Sequence, residues 1–223
     1  MSSRPLTEEL RLIPRHHTSG IQARVPTLAE RLKLHDPHLY AHSVRVSGLT
    51  VAFAAHLGFS PRDQRLLAQA AMLHDVGKLR IAASLLQKPT ALDEQEWKLI
   101  HAHPALGRSL LEDEGITESV VLDVVQNHHE RLDGTGYPAG ISGTQVSEAT
   151  RVITLCDVFA AMTETRHYGK PYTWQDALAR MATKRTRLDL QFLHYFAGMV
   201  AAMHAPGLGQ RSSVVAGPLH HKR

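Results

Sequence analysis

Apolar positions along this chain recur at helical spacing, and capping residues divide them into segments. In residues 36–58, "DPHLYAHSVRVSGLTVAFAAHLG", the positions His42, Val46, Leu49, Phe53 and Leu57 step by three or four and fall on one stripe. Asp36 reads as an N-cap, Pro37 as the first helical position and Gly58 as the stop. Ser60 and Pro61 repeat the device at the head of "SPRDQRLLAQAAMLHDVGK". "TLAE" (27–30) reads as a capping box that opens the first helix. Asp93 predicts another start, Gly115 its end, and Pro104 a break or kink between them. Thr117, Ser147, Thr173 and Asp189 predict the remaining starts. No segment sustains strand alternation. The pattern predicts an all-α domain of about seven to eight helices over residues 26–204. The flanks 1–25 and 205–223, rich in Arg, His, Ser, Gly and Pro without periodicity, read as poorly ordered tails.

The composition agrees with helices. Aromatics make up only 5% of the chain against 43% apolar residues overall, and alanine is abundant, which suits close helix packing. The net charge of +4 is too small for a nucleic-acid footprint, so no nucleic-acid polymer is expected as partner. The single cysteine, Cys156, forbids an internal disulfide and fits a reducing compartment. No signal-peptide core and no membrane-length apolar run is present, so the expectation is a cytoplasmic chain with no membrane association.

Polar residues on the apolar stripes change the picture. His42 shares the stripe of Val46 and Phe53. His103 shares one with Ile100, Gly107, Leu110 and Leu111, while His101 is turned about 100° away from Ile100. Asp157 lies on a face with Ile153, Ala160 and Ala161. His74 and Asp75 end the third helix, and His128 and His129 end the one that Thr117 opens. One buried histidine is ordinarily a hydrogen-bonded core residue. A buried aspartate needs a cation or several donors. Inward-facing His or Asp on at least five elements are explained together by a metal cluster. Imidazole and carboxylate donors suit Fe, Mn or Zn, and the absence of cysteine ligands argues against a structural zinc site. The candidates His42, His74, Asp75, His103, His128, His129 and Asp157 are too many for one ion and suit two ions about 3.5–4 Å apart with a bridging carboxylate. Adjacent histidines at a helix end can reach one ion lying off that end.

The same residues carry a resemblance. "HDVGK" (74–78) resembles the signature of the HD superfamily of metal-dependent phosphohydrolases, and "HHERLDGTGYP" (128–138) that of its HD-GYP subfamily. "HAHPALG" (101–107) and "RVITLCDVFAAMTETRHYGKPYTWQDAL" (151–178) extend it over roughly residues 28 to 200. The resemblance implies an HD-type helical bundle with a two- or three-metal centre, commonly iron or manganese, with zinc, nickel or magnesium as lesser alternatives. It implies a bacterial signalling phosphodiesterase that hydrolyses cyclic di-GMP to pGpG and often on to GMP, some members preferring a cyclic GMP-AMP dinucleotide. His42, His74, Asp75 and Asp157 would hold one ion, and His103, His128 and His129 the second, with Asp75 bridging. Three-metal members have a glutamate four residues before the first histidine. His38 stands there in this chain, so two ions and no third are expected.

Two metals activate a bridging water and neutralise phosphate oxygens, so a bridging hydroxide would attack phosphorus. Lys78, one turn past His74, would steady the developing charge or protonate a leaving oxygen. Arg131 and Tyr137 would meet a phosphate and a guanine face. Arg166 and Lys170 resemble family positions that contact substrate phosphates, with a solvated basic loop as the alternative reading. Asp133 resembles an invariant family position with either a fold or a substrate role. Gly134 and Gly136 give the loop backbone freedom, and Pro138 stiffens its exit. The family's loop is also a docking surface for diguanylate cyclase domains, and a homodimer is compatible with the sequence. Only residues 1–25 precede the core, so regulatory input is expected from a partner, substrate level, or metal and redox state. Two rival readings stand beside the first: an HD phosphohydrolase of another nucleotide, and a non-catalytic module that binds cyclic di-GMP or a cyclase. The intact loop argues against the former, the complete ligand set and Lys78 against the latter.

Overall fold

The protein is described from a computed structural model, which covers residues 19–165 and 170–205. The tail segments 1–18 and 206–223, and Arg166, lie outside the described residues. Helices account for the regular structure: α1 Ser19–His35, α2 Pro37–His56, α3 Pro61–Leu73, α4 Ala83–Leu86, α5 Glu94–His101, α6 His103–Asp113, α7 Ser119–Asn127, α8 Glu148–Thr163, α9 Trp174–Ala182 and α10 Leu190–Met203. Short 3₁₀ turns at Val76–Arg80 and Gly143–Gln145 join them. Strands are absent among the described residues. None of the described helices is long and apolar enough to cross a membrane.

Most starts follow from capping chemistry. The Asp36 carboxylate accepts from the backbone N–H groups of His38 and Leu39, Ser60 caps Asp63, Ser147 caps Thr150, Thr173 caps Asp176, and Asp189 accepts from Gln191 and Phe192. Three boundaries differ from the sequence pattern. The first helix begins at Ser19, so Thr27 lies in its interior and residues 19–25 belong to the helical core rather than to a tail. Packing decides this: Ile21, Leu28 and Leu32 are fully buried on one face, and the stripe continues upstream of Thr27 despite Pro26. The α7 N-cap is Glu118 rather than Thr117. The unit opened by Asp93 is two helices, because Pro104, in the first turn of α6, cannot donate to the carbonyl of Ile100. That split and the one-turn α4 add to the number of helices expected.

The core is built on α2, which packs against α3 on one side and α8 on another, with α7 closing on α3 and α10 on α2. Phe53, Phe159, Phe192 and Phe196 meet edge to face, with centroids 5.1 Å apart for Phe53–Phe196 and 5.2 Å for Phe159–Phe196. One backbone contact sets how closely the inward-facing polar residues can gather. The turn after α3 presses on the start of α6, and a Cβ on Gly77 would lie 2.5 Å from the Gly107 nitrogen and collide with the His103 carbonyl. Only glycine lets His74-Asp75 and His103 approach this closely.

Gly77→Ala is therefore expected to cost at least about 2 kcal/mol by overpacking, lowering the melting temperature by roughly 5 °C or more. Gly48→Ala, mid-helix with no atom within 4 Å of the new methyl, should raise it by a few degrees through about 0.5–1 kcal/mol of helix propensity. Thermal melts by circular dichroism of the two variants decide it, and equal effects would contradict the close-approach account.

Candidate metal centre

Seven side chains from five elements meet at one end of α2. His42 comes from the second turn of α2, and Asp157 from α8 beside it. His74 is the C-cap of α3, and Asp75 follows it. His103 opens α6, His128 is the C-cap of α7, and His129 follows. They form two groups, each with ligand-type atoms within 4.8 Å of one another: Asp75, His103, His128 and His129 in one, His42, His74 and Asp157 in the other. His74 Nε2 joins the groups, 3.4 Å from Asp75 Oδ2 and 4.0 Å from Asp157 Oδ1.

The backbone fixes which nitrogen each ring presents. His74 Nδ1 lies 2.7 Å from the Ala71 carbonyl, His103 Nδ1 2.7 Å from that of Ile100, and His128 Nδ1 3.0 Å from that of Val125. A carbonyl only accepts, so each Nδ1 carries the proton and each Nε2 turns a lone pair inward. The Ile100 carbonyl is the one that Pro104 leaves without its helical donor. His103 Nε2 and His128 Nε2 are 3.1 Å apart, and both face Asp75 Oδ1, at 3.1 and 3.7 Å. Asp75 Oδ1 and His74 Nε2 are buried with no hydrogen-bond partner. Converging lone pairs with no proton between them are a donor set for a cation.

His42 and His129 are held differently. His42 Nε2 is 3.0 Å from Asp157 Oδ1 and its Nδ1 3.0 Å from Glu164 Oε2. Burial alone would lower its pKa, but hydrogen bonds to Asp157 and Glu164 outweigh this and raise it to about 10. The His129 ring makes no hydrogen bond among the described residues. It is stacked on Tyr137 at 4.6 Å and meets His103 edge-on at 4.9 Å. Burial, then the neighbouring His128, push the His129 pKa far down, and burial pushes that of His128 down to about 4. Burial opposes the charge on Asp75, yet Lys78 and His74 nearby keep its carboxyl well below the usual range. The His42 hydrogen bond does the same for Asp157 against its own burial penalty. The centre thus holds ionised carboxylates beside the neutral imidazoles of His128 and His129, while His42 carries a proton held between Asp157 and Glu164.

The group opens into a cavity of about 610 Å³ whose wall includes Lys78, Arg131, Tyr137 and His38. Lys78 Nζ is 2.7 Å from Asp75 Oδ2. Arg131 spends part of its guanidinium on the carbonyls of Glu130 and His128, at 3.2 and 3.5 Å. Tyr137 lines the cavity, and its ring is stacked with those of His129 and His101 at 4.6 and 4.2 Å. Lys170 is exposed and does not line this cavity. Asp133 also lies outside it: it accepts from Thr135 and from Thr186 Oγ1, tying the loop to the segment before α10.

Sequence reasoning passed over three groups. Glu164 is the extended C-cap of α8, and its Oε2 reaches His42 from just past the helix end. Glu130 is buried, and its Oε1 accepts from the N–H groups of Ala139 and Gly140 at 2.7 and 3.0 Å, clamping the loop from below. Gly136 lies so close above that a Cβ would be 2.5 Å from the Arg131 nitrogen. Trp97 joins the cavity wall, with the His101 ring between it and Tyr137, which no helical periodicity announces.

The HD-domain family profile matches residues 26–191. The chain is 38% identical to a cyclic di-GMP phosphodiesterase of Pseudomonas aeruginosa over 166 residues, covering 74% of this chain and 40% of that protein. It is 39% identical to a 3'3'-cGAMP-specific phosphodiesterase of Vibrio cholerae over 145 residues, 65% of this chain and 31% of that one. The chain therefore spans well under half the length of these relatives. An HDG"Y"P protein from Bdellovibrio bacteriovorus shares the fold, with a TM-score of 0.62 at 17% identity over 82% of this chain and 64% of that one.

Glu130→Ala should free the loop. The expected loss is about 1–3 kcal/mol, with faster amide hydrogen exchange at Ala139 and Gly140, while Glu130→Gln keeps an acceptor and much of the protection. Unchanged exchange in the alanine variant would refute the clamp.

Proposed function

The chain belongs to the HD-domain family, and we propose that it is a metal-dependent phosphodiesterase hydrolysing cyclic di-GMP to linear pGpG. The observation that carries this reading is the pair of converging ligand groups joined through Asp75 and His74 and opening into a cavity of substrate size. The donors fit a divalent ion of the iron or manganese kind, being imidazole and carboxylate, with Asp75 Oδ1 and His74 Nε2 buried and unpartnered. His42, His74 and Asp157 would hold one ion and His103, His128 and His129 another, with Asp75 shared. When bound, such ions supply Lewis acidity towards the phosphate oxygens and a water nucleophile.

The chain's own residues have separate tasks. The carbonyls of Ala71, Ile100 and Val125 hold the Nδ1–H groups of three imidazoles and so aim their Nε2 atoms at the centre. Lys78 Nζ stands at the cavity wall beside Asp75, where its ammonium can pair with a phosphate oxygen and hand a proton to the leaving alkoxide. Arg131 offers its remaining N–H groups to the second phosphate. The apolar side chains of Leu39, Ile100 and Met162 on the same wall strip water from the bound diester.

A second reading has specific support. Identity to the 3'3'-cGAMP-specific relative matches that to the cyclic di-GMP enzyme, 39% against 38%, so cyclic GMP-AMP is the competing substrate.

Anaerobically purified protein supplied with Fe(II) or Mn(II) is expected to convert cyclic di-GMP to pGpG. Asp75→Ala should abolish turnover, and Lys78→Ala should lower kcat on the order of 10²-fold. A panel with cyclic GMP-AMP ranks the two substrates by kcat/KM, and turnover of neither would refute the proposal. Metal binding is read separately. Mn(II) at about a hundred times its Kd should stabilise the wild type by about 2.7 kcal/mol, a rise of several degrees in Tm that Asp75→Ala lacks.

A further inference from the structure

A cyclic dinucleotide has two ends of different chemistry. Its phosphodiesters need cations, which the centre and its basic neighbours offer. Its purines need a flat, partly desolvated surface. The Tyr137 ring is already stacked with those of His129 and His101. The stack does not stop there. His101 lies 5.3 Å from Trp97, with the rings inclined at 55°. The four rings run outward from a candidate ligand to a tryptophan on α5. Trp97 lines the same cavity as His103, His129 and Tyr137. It is 48% exposed, and among the described residues its one ring contact is His101. A tryptophan placed for stability alone buries its large apolar surface. This one keeps about half of that surface open on a cavity wall.

We propose that Trp97 is the platform on which one purine base of the substrate stacks, with His101 and Tyr137 as the buttress that sets its distance from the histidine–aspartate centre. The inference rests on reading the cavity as a cyclic-dinucleotide site. Stacking of a base on an aromatic side chain contributes about 1–3 kcal/mol and accepts any purine. Trp97 therefore serves affinity for a purine dinucleotide, and the choice between guanine and adenine falls to other groups. Leu86 and Ile100, beside it in the lining, extend the apolar surface.

The test uses two readouts. In steady-state turnover of cyclic di-GMP by the metal-loaded protein, Trp97→Ala should raise KM about tenfold, the equivalent of about 1.4 kcal/mol, and change kcat less. Trp97→Phe should restore most of the affinity. The second readout is independent of hydrolysis. The chain has two tryptophans, and the other, Trp174, stacks on His204 away from this cavity. In Trp174→Phe protein Trp97 is the sole tryptophan, and cyclic di-GMP and cyclic GMP-AMP should quench its selectively excited emission saturably while ribose 5-phosphate, which has no base, should not. Turnover with an unchanged KM in Trp97→Ala and no quenching would overturn the platform and leave the hydrolase reading intact. Saturable quenching without turnover of any cyclic dinucleotide would support the platform and sink the hydrolase reading. Neither turnover nor quenching would remove both.

Discussion

The Asp75 carboxylate is only 3% exposed, and the architecture around it answers that constraint. An ionised carboxylate in a protein interior is costly unless cations and hydrogen bonds compensate. Lys78 pairs with one oxygen. The other faces imidazole nitrogens whose protons have been drawn away by backbone carbonyls. A core built for stability alone would have turned N–H groups towards that oxygen. This core holds the Nδ1–H groups on carbonyls and turns Nε2 atoms towards it instead, an arrangement that could hold a cation.

The fold supplies the geometry by placing helix ends at one locus. His74, His103 and His128 each take a carbonyl three residues upstream, at the end of α3, at the break between α5 and α6, and at the end of α7. Terminal carbonyls lack helical donors, so a histidine placed just past a helix end finds an acceptor ready and loses one tautomer. The glycine contact between residues 77 and 107 then brings two of these ends together. Thr154 Oγ1, donating to the His128 carbonyl at 3.0 Å, ties the third to α8 and thereby to Asp157.

Much of this was legible in the residues. Helix starts at Asp36, Ser60, Ser147, Thr173 and Asp189 depend on local side-chain-to-backbone bonds, which a sequence displays directly. The convergence of the histidines and aspartates was legible because polar residues on apolar stripes are anomalous. What escaped depends on contacts between distant segments. The start of α1 was set by burial of Ile21 against the core and not by the local signal at Thr27. Glu164 and Glu130 carry no local signal of the partners the fold gives them, His42 and the loop N–H groups. The stacking of Tyr137 with His101 and His129 escaped because a Gly-rich loop says nothing of the rings it will meet.

The pairing of His128 with His129 shows why the loop after them is built as it is. Four of the five histidines at the centre are oriented by hydrogen bonds: three to carbonyls and His42 to carboxylates. His129 lies past the helix end, and no carbonyl or carboxylate among the described residues hydrogen-bonds its ring. Its orientation must come from packing, and an imidazole flanked by a flat ring at 4.6 Å and 25° has little freedom to turn. Delivering that ring requires the chain to double back over its own backbone, which Gly136 permits by its contact with Glu130 and Arg131. The return must then be held, which Glu130 does from beneath and Asp133 from the side. Two adjacent imidazoles can serve one centre because a helix end orients the first and a folded loop orients the second.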